Sequence, residues 1–163
     1  MFGTTSDRLS GLTITVAGVR VAFVGKGGAG KSSIAGTFAR LLAVTGQPCS
    51  PWILTRCPVW HFRWVVAEPY YRSLETVRRM SQLVAELPVQ RVAVVASKIR
   101  ATQDADTVAE FCDRQGFALA ATIPRSDAVG AADRARVPVV DAPDTGPVID
   151  AVRQLALSLG VQP

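Results

Sequence analysis

A glycine- and lysine-rich stretch near the amino end of the chain has the residue types and spacing of a phosphate-binding loop. Residues 25–33, GKGGAGKSS, fit the pattern G-x-x-x-x-G-K-[ST]. Glycines let the backbone curl around phosphate oxygens, so that successive N–H groups and a helix amino terminus face the anion. The stretch lies between an apolar run and a helical pattern, as such a P-loop requires. We therefore expect nucleotide phosphates to bind Gly25, Lys26, Gly27, Gly28, Ala29, Gly30, Lys31, Ser32 and Ser33.

The lysine and serine at the end of the pattern have distinct expected roles. Lys31 would reach the β- and γ-phosphates as a catalytic residue, and the Ser32 hydroxyl would bind Mg²⁺. The chain has 15 arginines and only three lysines, two of which fall in this one loop. A compact ammonium group there is not replaceable by a planar guanidinium. This bias counts against Lys26 being an ordinary solvated lysine.

Lys26, directly after the first glycine, makes the loop resemble that of a known superfamily. It resembles the "deviant" P-loop K-G-G-x-G-K-[ST] of the MinD/ParA-like ATPases, which include the nitrogenase iron protein and the carbon monoxide dehydrogenase nickel-insertion accessory ATPases. In such relatives the extra lysine contacts the nucleotide phosphates, often across a dimer interface. The resemblance implies ATP or ADP as ligand, a catalytic role for Lys26 and a homodimer formed across the nucleotide.

Three segments of the second half also resemble this superfamily, and most of all its carbon monoxide dehydrogenase accessory members. They are VVAEPYYRSLETVRRM, VAVVASKIR and IPRSDAV. In the second segment the relatives have an asparagine that reads adenine; here the position is Ser97, followed by Lys98. A hydroxyl lacks the paired donor and acceptor of an amide, which leaves adenine or guanine open. In the third segment Pro124 would border the base.

The hydrophobic pattern predicts an α/β fold. Continuous apolar runs predict strands at 20–24, 64–67, 91–96 and 117–123, and helical spacing follows each of the first three and precedes the carboxyl end. Strands of this kind that alternate with helices favour a mainly parallel sheet covered on both faces, a three-layer sandwich. The resemblance, which covers about 19–46 and 64–160, implies the P-loop NTPase type of sheet with part of it missing.

We expect one nucleotide-binding domain over 19–163, preceded by an amino-terminal arm over 1–18. The alternation of Leu12, Ile14 and Val16 could add an edge strand, although the neighbouring glycines also suit a loose arm. Residues 47–63 form an atypical segment, which carries two of the three tryptophans, the only histidine and two of the three cysteines. Its spacing of Cys49, Cys57 and His61 matches no common zinc site, so no metal is expected there.

The chain lacks aspartates where ATPases of this type need them, to position the attacking water and to hold Mg²⁺ through water. None occurs between Asp7 and Asp104. Glu68 follows a strand, but it matches the relatives' Glu-Pro segment, and we expect an ordinary polar residue rather than a metal ligand. If one G is restored before the Cys49 codon, the Trp52 and Ile53 codons must yield an aspartate, and with a suitable choice of wobble bases QPCSPWILTRCPV can be read as QPVLAMDPDPMPG. We hypothesise that residues 49 to about 63 are read out of frame, and that the following segment has been lost.

Composition bounds the remaining classes. The net charge is +5 and the pI is about 9.6, but the arginines are scattered, which favours a solvated surface over direct nucleic-acid binding. No apolar run approaches the roughly 20 residues of a membrane span, and the amino end has no signal pattern. Three unpatterned cysteines suit reduced thiols. We therefore expect a cytoplasmic protein.

The sequence thus predicts an ATP-binding P-loop protein of the MinD/ParA-like type, with Mg²⁺ and with impaired hydrolysis. The resemblance implies a protein partner, such as a metalloenzyme under maturation. Two alternatives stay open. One is a nucleotide-gated, non-enzymatic interaction module or a non-functional fragment, and the other is a small-molecule P-loop kinase.

Overall fold

The structure is a computed structural model, and it describes residues 12–16, 19–46, 49–53, 60–85 and 89–159. Of the predicted amino-terminal arm over 1–18, the structure therefore describes only residues 12–16. Of the atypical segment, 47–48 and 54–59 lie outside the described residues. Cys57 is among them, so the interpretation of the cysteine and histidine spacing stays a prediction.

Six strands form one sheet. They are β1 (Leu12–Val16), β2 (Val19–Gly25), β3 (Cys49–Ile53), β4 (Trp60–Ala67), β5 (Val89–Ile99) and β6 (Ala118–Pro124). Their spatial order is β3-β1-β2-β4-β5-β6. The strands β2, β4, β5 and β6 run parallel, whereas β1 is antiparallel to both of its neighbours. The carboxyl ends of four adjacent strands therefore lie along one edge of the sheet.

Five α-helices cover the two faces. They are α1 (Lys31–Val44), α2 (Tyr71–Ala85), α3 (Thr102–Gln115), α4 (Asp127–Ala135) and α5 (Gly146–Ser158), with a short 3₁₀ turn at Val139–Asp141. The helices α1 and α5 pack on one face and α2 and α3 on the other, each pair over its own apolar core. The predicted three-layer α/β sandwich with a mainly parallel sheet is confirmed.

The core under α1 is organised around three fully buried aromatic rings. Phe23 of β2, Phe38 of α1 and Trp64 of β4 contact one another edge to face, with ring centroids 5.0–5.9 Å apart. Edge-to-face pairs of this kind add to the stabilisation that burial of the rings provides. They fix α1, and with it the loop that precedes α1, to the centre of the sheet.

The alternation of its residues suggested that β1 would be an edge strand, but the structure places it inside the sheet. It is an interior strand, because β3 pairs with its other side, with Pro51 opposite Ile14. Proline lacks an N–H to donate, so it is tolerated at a sheet edge, which is where β3 lies. A strand in this part of the atypical segment was not predicted.

Two other elements differ from the pattern-based prediction. Strand β4 begins at Trp60, four residues before the predicted start, and these residues pair with β2 and β5. Helix α4 was not predicted at all. Among the described residues, no helix is both long and apolar enough to cross a bilayer.

Candidate functional site

The P-loop connects the centre of the sheet to the start of α1. Strand β2 ends at Gly25 and α1 begins at Lys31. Gly25 has a φ of 149°, and a Cβ atom there would lie closer than 3.0 Å to the carbonyl oxygen of Val66 on the neighbouring strand β4. Only glycine permits both this backbone conformation and this approach. The first position of the motif is thus fixed by the sheet itself.

Gly30 closes the loop in the left-handed conformation that ends the turn into α1. Its φ is 91°, and it is the amino-terminal cap residue of α1. A Cβ atom at this position would lie 3.4 Å from the hydroxyl oxygen of Ser97, at the end of β5. Strand β5 therefore comes up directly against the loop. Beyond Gly30, the first N–H groups of α1 are free for an anion, as at any helix amino terminus.

The ammonium group of Lys31 is folded back onto the loop. Its Nζ donates a hydrogen bond to the carbonyl oxygen of Lys26 at 2.8 Å, and the N–H of Ala29 donates to the same oxygen at 3.3 Å. Lys31 is buried, and this burial lowers the pKa of its ammonium group. A buried cation with one carbonyl partner is poorly compensated, and a phosphate oxygen would compensate it better.

Three other predicted residues face solvent around the loop. The side chains of Lys26, Ser32 and Ser33 are exposed, as are Gly27 and Gly28, whereas Ala29 is fully buried under the loop. The exposed side chain of Lys26 can extend away from the loop. The exposed hydroxyl of Ser32, in the first turn of α1, can serve as an oxygen ligand.

Two charged residues at the ends of neighbouring strands lie against the loop. Lys98 Nζ donates to the carbonyl oxygen of Gly28 at 2.6 Å and forms an ion pair with Glu68 Oε1 at 2.7 Å. The Glu68 side chain is only 10% exposed, and its backbone N–H donates to the hydroxyl of Ser73 at 2.9 Å. The sequence did not predict that the Glu68 carboxylate is buried and ion-paired, and the expectation that it is not a metal ligand stays a prediction. Lys98 was predicted as a nucleotide-binding residue, but its contact with Gly28 was not.

A cavity of about 500 Å³ opens beside the loop. The predicted residues Gly30, Ser33, Ser97, Lys98 and Pro124 all line it, so the structure brings the loop and the two predicted base-side segments together. Its apolar wall comes from α1, β6 and the segment before α5. The segment IPRSDAV was predicted to border the base, but no role was assigned to the charged rim formed by Arg125, Asp127 and Arg134. These residues follow β6, and their position after a parallel strand was the available signal.

The site contains few carboxylates. Among the described residues, no group of three or more histidine, cysteine, aspartate or glutamate side chains could hold a metal ion. Asp127 lies on the cavity rim and is almost fully exposed, with Arg125 3.5 Å away. The carboxylate that reaches the loop region, Glu68, is engaged by Lys98.

The chain resembles known proteins in its structure, whereas comparisons of its sequence find no match. No protein-family model matches it, and no curated protein matches significantly. It is similar to the MinD cell division protein of Aquifex aeolicus, with 17% identity over 62% of this chain and 44% of that one and a TM-score of 0.51. The Cyanothece McdA–ATP complex matches with 13% identity over 64% of this chain and 45% of that one, at a TM-score of 0.47.

The chain thus spans less than half the length of either structure that it resembles. At 17% identity, the likeness establishes the fold and leaves ligands and partners to be argued from this chain's own residues. Over the part that matches, the chain has the α/β fold of the MinD cell division protein.

Proposed function

We propose that this protein binds ATP, with the triphosphate in the P-loop and the base in the adjoining cavity. The observation that carries the proposal is the loop itself. A left-handed Gly30 opens the amino terminus of α1, and the buried Lys31 ammonium group has a single carbonyl partner among the hydrogen bonds of the described residues. Ser97 and Pro124 line the adjoining cavity, and in the proposal the purine lies between the segments that contain them.

The residues present fit Mg²⁺ bound mainly by the nucleotide. Mg²⁺ prefers oxygen ligands and is held in nucleotide sites by few protein groups, phosphate oxygens and water. The exposed Ser32 hydroxyl fits one such ligand position. When bound, Mg²⁺ would neutralise phosphate charge, while Lys26 and Lys31 bind and orient the phosphates.

We further propose that hydrolysis is weak or absent. A water molecule held in line with the γ-phosphate needs an acceptor, and positioning is among the largest contributions that a site makes to catalysis. No aspartate occurs between Asp7 and Asp104, and Glu68 is neutralised by Lys98. The protein would then act as a nucleotide-gated binding module, whose partner in relatives of this type is another protein such as a metalloenzyme under maturation.

The proposed ancestry is a MinD/ParA-like ATPase close to the carbon monoxide dehydrogenase accessory proteins, with residues 49–63 read out of frame. Arg63 supports this hypothesis. It shares a sheet face with Val65, its Nε is buried, and that atom has no hydrogen-bond partner among the described residues. Burial lowers the pKa of its guanidinium group, so the position suits an apolar residue better. Independent sequencing reads across codons 47–64 test the hypothesis, and an intact reading frame would refute it.

Titration calorimetry with Mg-ATP and Mg-ADP, beside a phosphate-release assay, tests the proposal. We expect binding of both nucleotides without turnover at the rate of a functional ATPase. The variant Lys31→Met should weaken binding at least about tenfold, because it removes a charged hydrogen-bond donor. Arg153→Met is the matched control, since Arg153 is an exposed cation on α5 that pairs with Asp150 at 2.7 Å.

The outcomes separate the candidate functions. Equal affinity of wild type and Lys31→Met would refute binding at the P-loop. Rapid phosphate release would refute impaired hydrolysis and restore the enzyme interpretation. Transfer of the γ-phosphate to an added small molecule, rather than to water, would identify a kinase instead. Mixing the purified chain with Mg-ATP at increasing concentration in sedimentation experiments tests the proposed homodimer across the nucleotide.

A further inference from the structure

All three lysines of the chain lie in or contact the P-loop. Lys26 and Lys31 belong to it by sequence, whereas Lys98 comes from the end of β5, almost seventy residues later. Lys98 Nζ approaches the carbonyl oxygen of Gly28 to 2.6 Å. The third lysine of the chain therefore contacts the same loop that contains the other two.

The backbone of Lys98 is strained in a way that aims its side chain. Its φ is 60°, in the left-handed region that non-glycine residues rarely occupy. Strain of this kind persists only where surrounding contacts determine it, and it clusters at functional sites. Here it accompanies a break in the regular pairing of β5 with β6 between Ala96 and Ile99. The strand therefore leaves its register at the residue whose ammonium group meets the loop.

Glu68 holds the other side of that ammonium group. It follows β4, which pairs Val66 with Gly25, so Glu68 lies two residues beyond the strand position that contacts the start of the loop. Its carboxylate is 2.7 Å from Lys98 Nζ and mostly buried, and the Ser73 hydroxyl accepts a hydrogen bond from its N–H. The carboxylate is thus a fixed point on the sheet rather than a mobile surface group.

We propose that Glu68 and Lys98 are positioning residues, an ion pair between a mostly buried carboxylate and a half-exposed ammonium group that clamps the Gly28 carbonyl and so holds the P-loop in its phosphate-binding conformation before any nucleotide arrives. A loop rich in glycine loses much conformational entropy when it is ordered, and a preformed loop avoids that loss on binding. The gain in nucleotide affinity rests on the proposed function, whereas the ordering of the loop does not.

The test measures loop order and nucleotide affinity separately. Hydrogen exchange of the backbone amides of residues 26–30 is followed without nucleotide, and Mg-ATP affinity is measured by calorimetry. In Lys98→Met we expect loop exchange at least about 10-fold faster and affinity about 10-fold weaker, because a charged hydrogen bond is lost. Lys98→Arg keeps a cation that can donate to both partners, and it should restore most of both properties.

A double variant separates positioning from stability. Lys98→Met alone leaves a buried carboxylate unpaired and destabilises the fold, whereas Glu68→Gln/Lys98→Met removes both charges. The double variant should regain melting temperature but keep the fast loop exchange. The matched control is Glu110→Gln, which breaks an exposed ion pair with Arg114 on α3.

Each result supports or overturns the clamp. Loop exchange at the wild-type rate in the double variant would overturn it, as would faster exchange that simply follows melting temperature through all variants. If the wild type binds no nucleotide but Lys98→Met speeds loop exchange, the clamp stands and the proposed function fails. If loop exchange rises while affinity stays constant, the clamp does not prepare the loop for phosphate, and that part is wrong.

Discussion

Replacing Gly25 by alanine tests whether the sheet fixes the start of the P-loop. The added methyl group would lie closer than 3.0 Å to the Val66 carbonyl oxygen, where real Cβ atoms essentially never lie, and the φ of 149° disfavours any side chain. Overpacking costs about 1–3 kcal/mol and backbone strain of this kind costs a similar amount. We expect a loss of about 3 kcal/mol, which lowers the melting temperature of a domain of this size by roughly 6–12 °C.

The assay is thermal and urea unfolding, with Mg-ATP added in a parallel series. Gly36→Ala is the matched control, because Gly36 lies within α1 and a Cβ atom there would have no neighbour within 4 Å. Alanine is a better helix former than glycine, so Gly36→Ala should raise the free energy of unfolding by about 0.5–1 kcal/mol. Gly25→Ala should also lose the stabilisation by Mg-ATP that wild type and Gly36→Ala share. A melting temperature of Gly25→Ala within 2 °C of wild type (about the effect of 1 kcal/mol or less) would refute the reasoning.

Three further predictions concern packing, reactivity and a helix end. Phe38→Ala should lower the free energy of unfolding in urea by about 3–5 kcal/mol, because it removes a fully buried ring between two aromatic neighbours. The control Leu157→Ala, at a half-exposed position, should lower it by less than about 1 kcal/mol. Burial raises the pKa of Cys112 from 9.0 to about 11. Its thiol should therefore resist iodoacetamide at pH 8 until the chain unfolds, and its contribution to stability should decline as pH rises from 9 towards 11; rapid labelling of the native peptide in mass spectrometry would contradict this. Arg136 is exposed at the end of α4 and has a φ of 57°, so Arg136→Gly should raise the free energy of unfolding by up to about 1 kcal/mol. Ala131→Gly, inside α4, should lower it by about as much.

The sequence was most informative where a pattern has a single physical meaning. The motif at residues 25–33 predicts a strand, a tight loop and a helix, and the structure has β2, the loop and α1 in that order. The buried runs predict parallel strands because strands covered on both faces are apolar throughout, and β4 and β5 are such strands over 64–67 and 93–96. The edge strand β6 is also parallel, but it is partly exposed. Helical spacing after the predicted strand at 20–24 predicts a helix, and α1 follows the loop there.

The elements that were missed depend on long-range pairing or weak local signals. Strand β3 contains a proline and has no alternating pattern, and it forms because β1 offers a free side. Strand β1 itself becomes an interior strand only through that pairing. Helix α4 is only nine residues long, and its sequence DAVGAADRA contains a glycine and two aspartates, so helix propensity does not mark it. The pairing of β1 with β3 cannot be deduced from residue types alone.

The candidate site shows the same division between local and tertiary information. The loop residues are adjacent in sequence, and their arrangement follows from the motif. By contrast, Glu68 and Lys98 are thirty residues apart, and their meeting at Gly28 depends on β2, β4 and β5 being neighbours in the sheet. A sequence pattern marks each strand end but not which ends adjoin, so the ion pair could be found only in the structure.

Under the proposed function, the order of these three strands accounts for nucleotide binding with little hydrolysis. The carboxyl ends of adjacent parallel strands converge, so β2 supplies the loop, β5 supplies a cation and β4 supplies a carboxylate at one place. Because that carboxylate forms an ion pair with the cation, its net effect on the loop is to hold Lys98 rather than to accept a proton from water. Under the proposal, such a site keeps the cations that attract phosphate, while the carboxylate that reaches the loop is already ion-paired. In the proposed function, nucleotide affinity therefore depends on Lys31 and the clamp, whereas an aspartate introduced by restoring the reading frame would be needed for turnover.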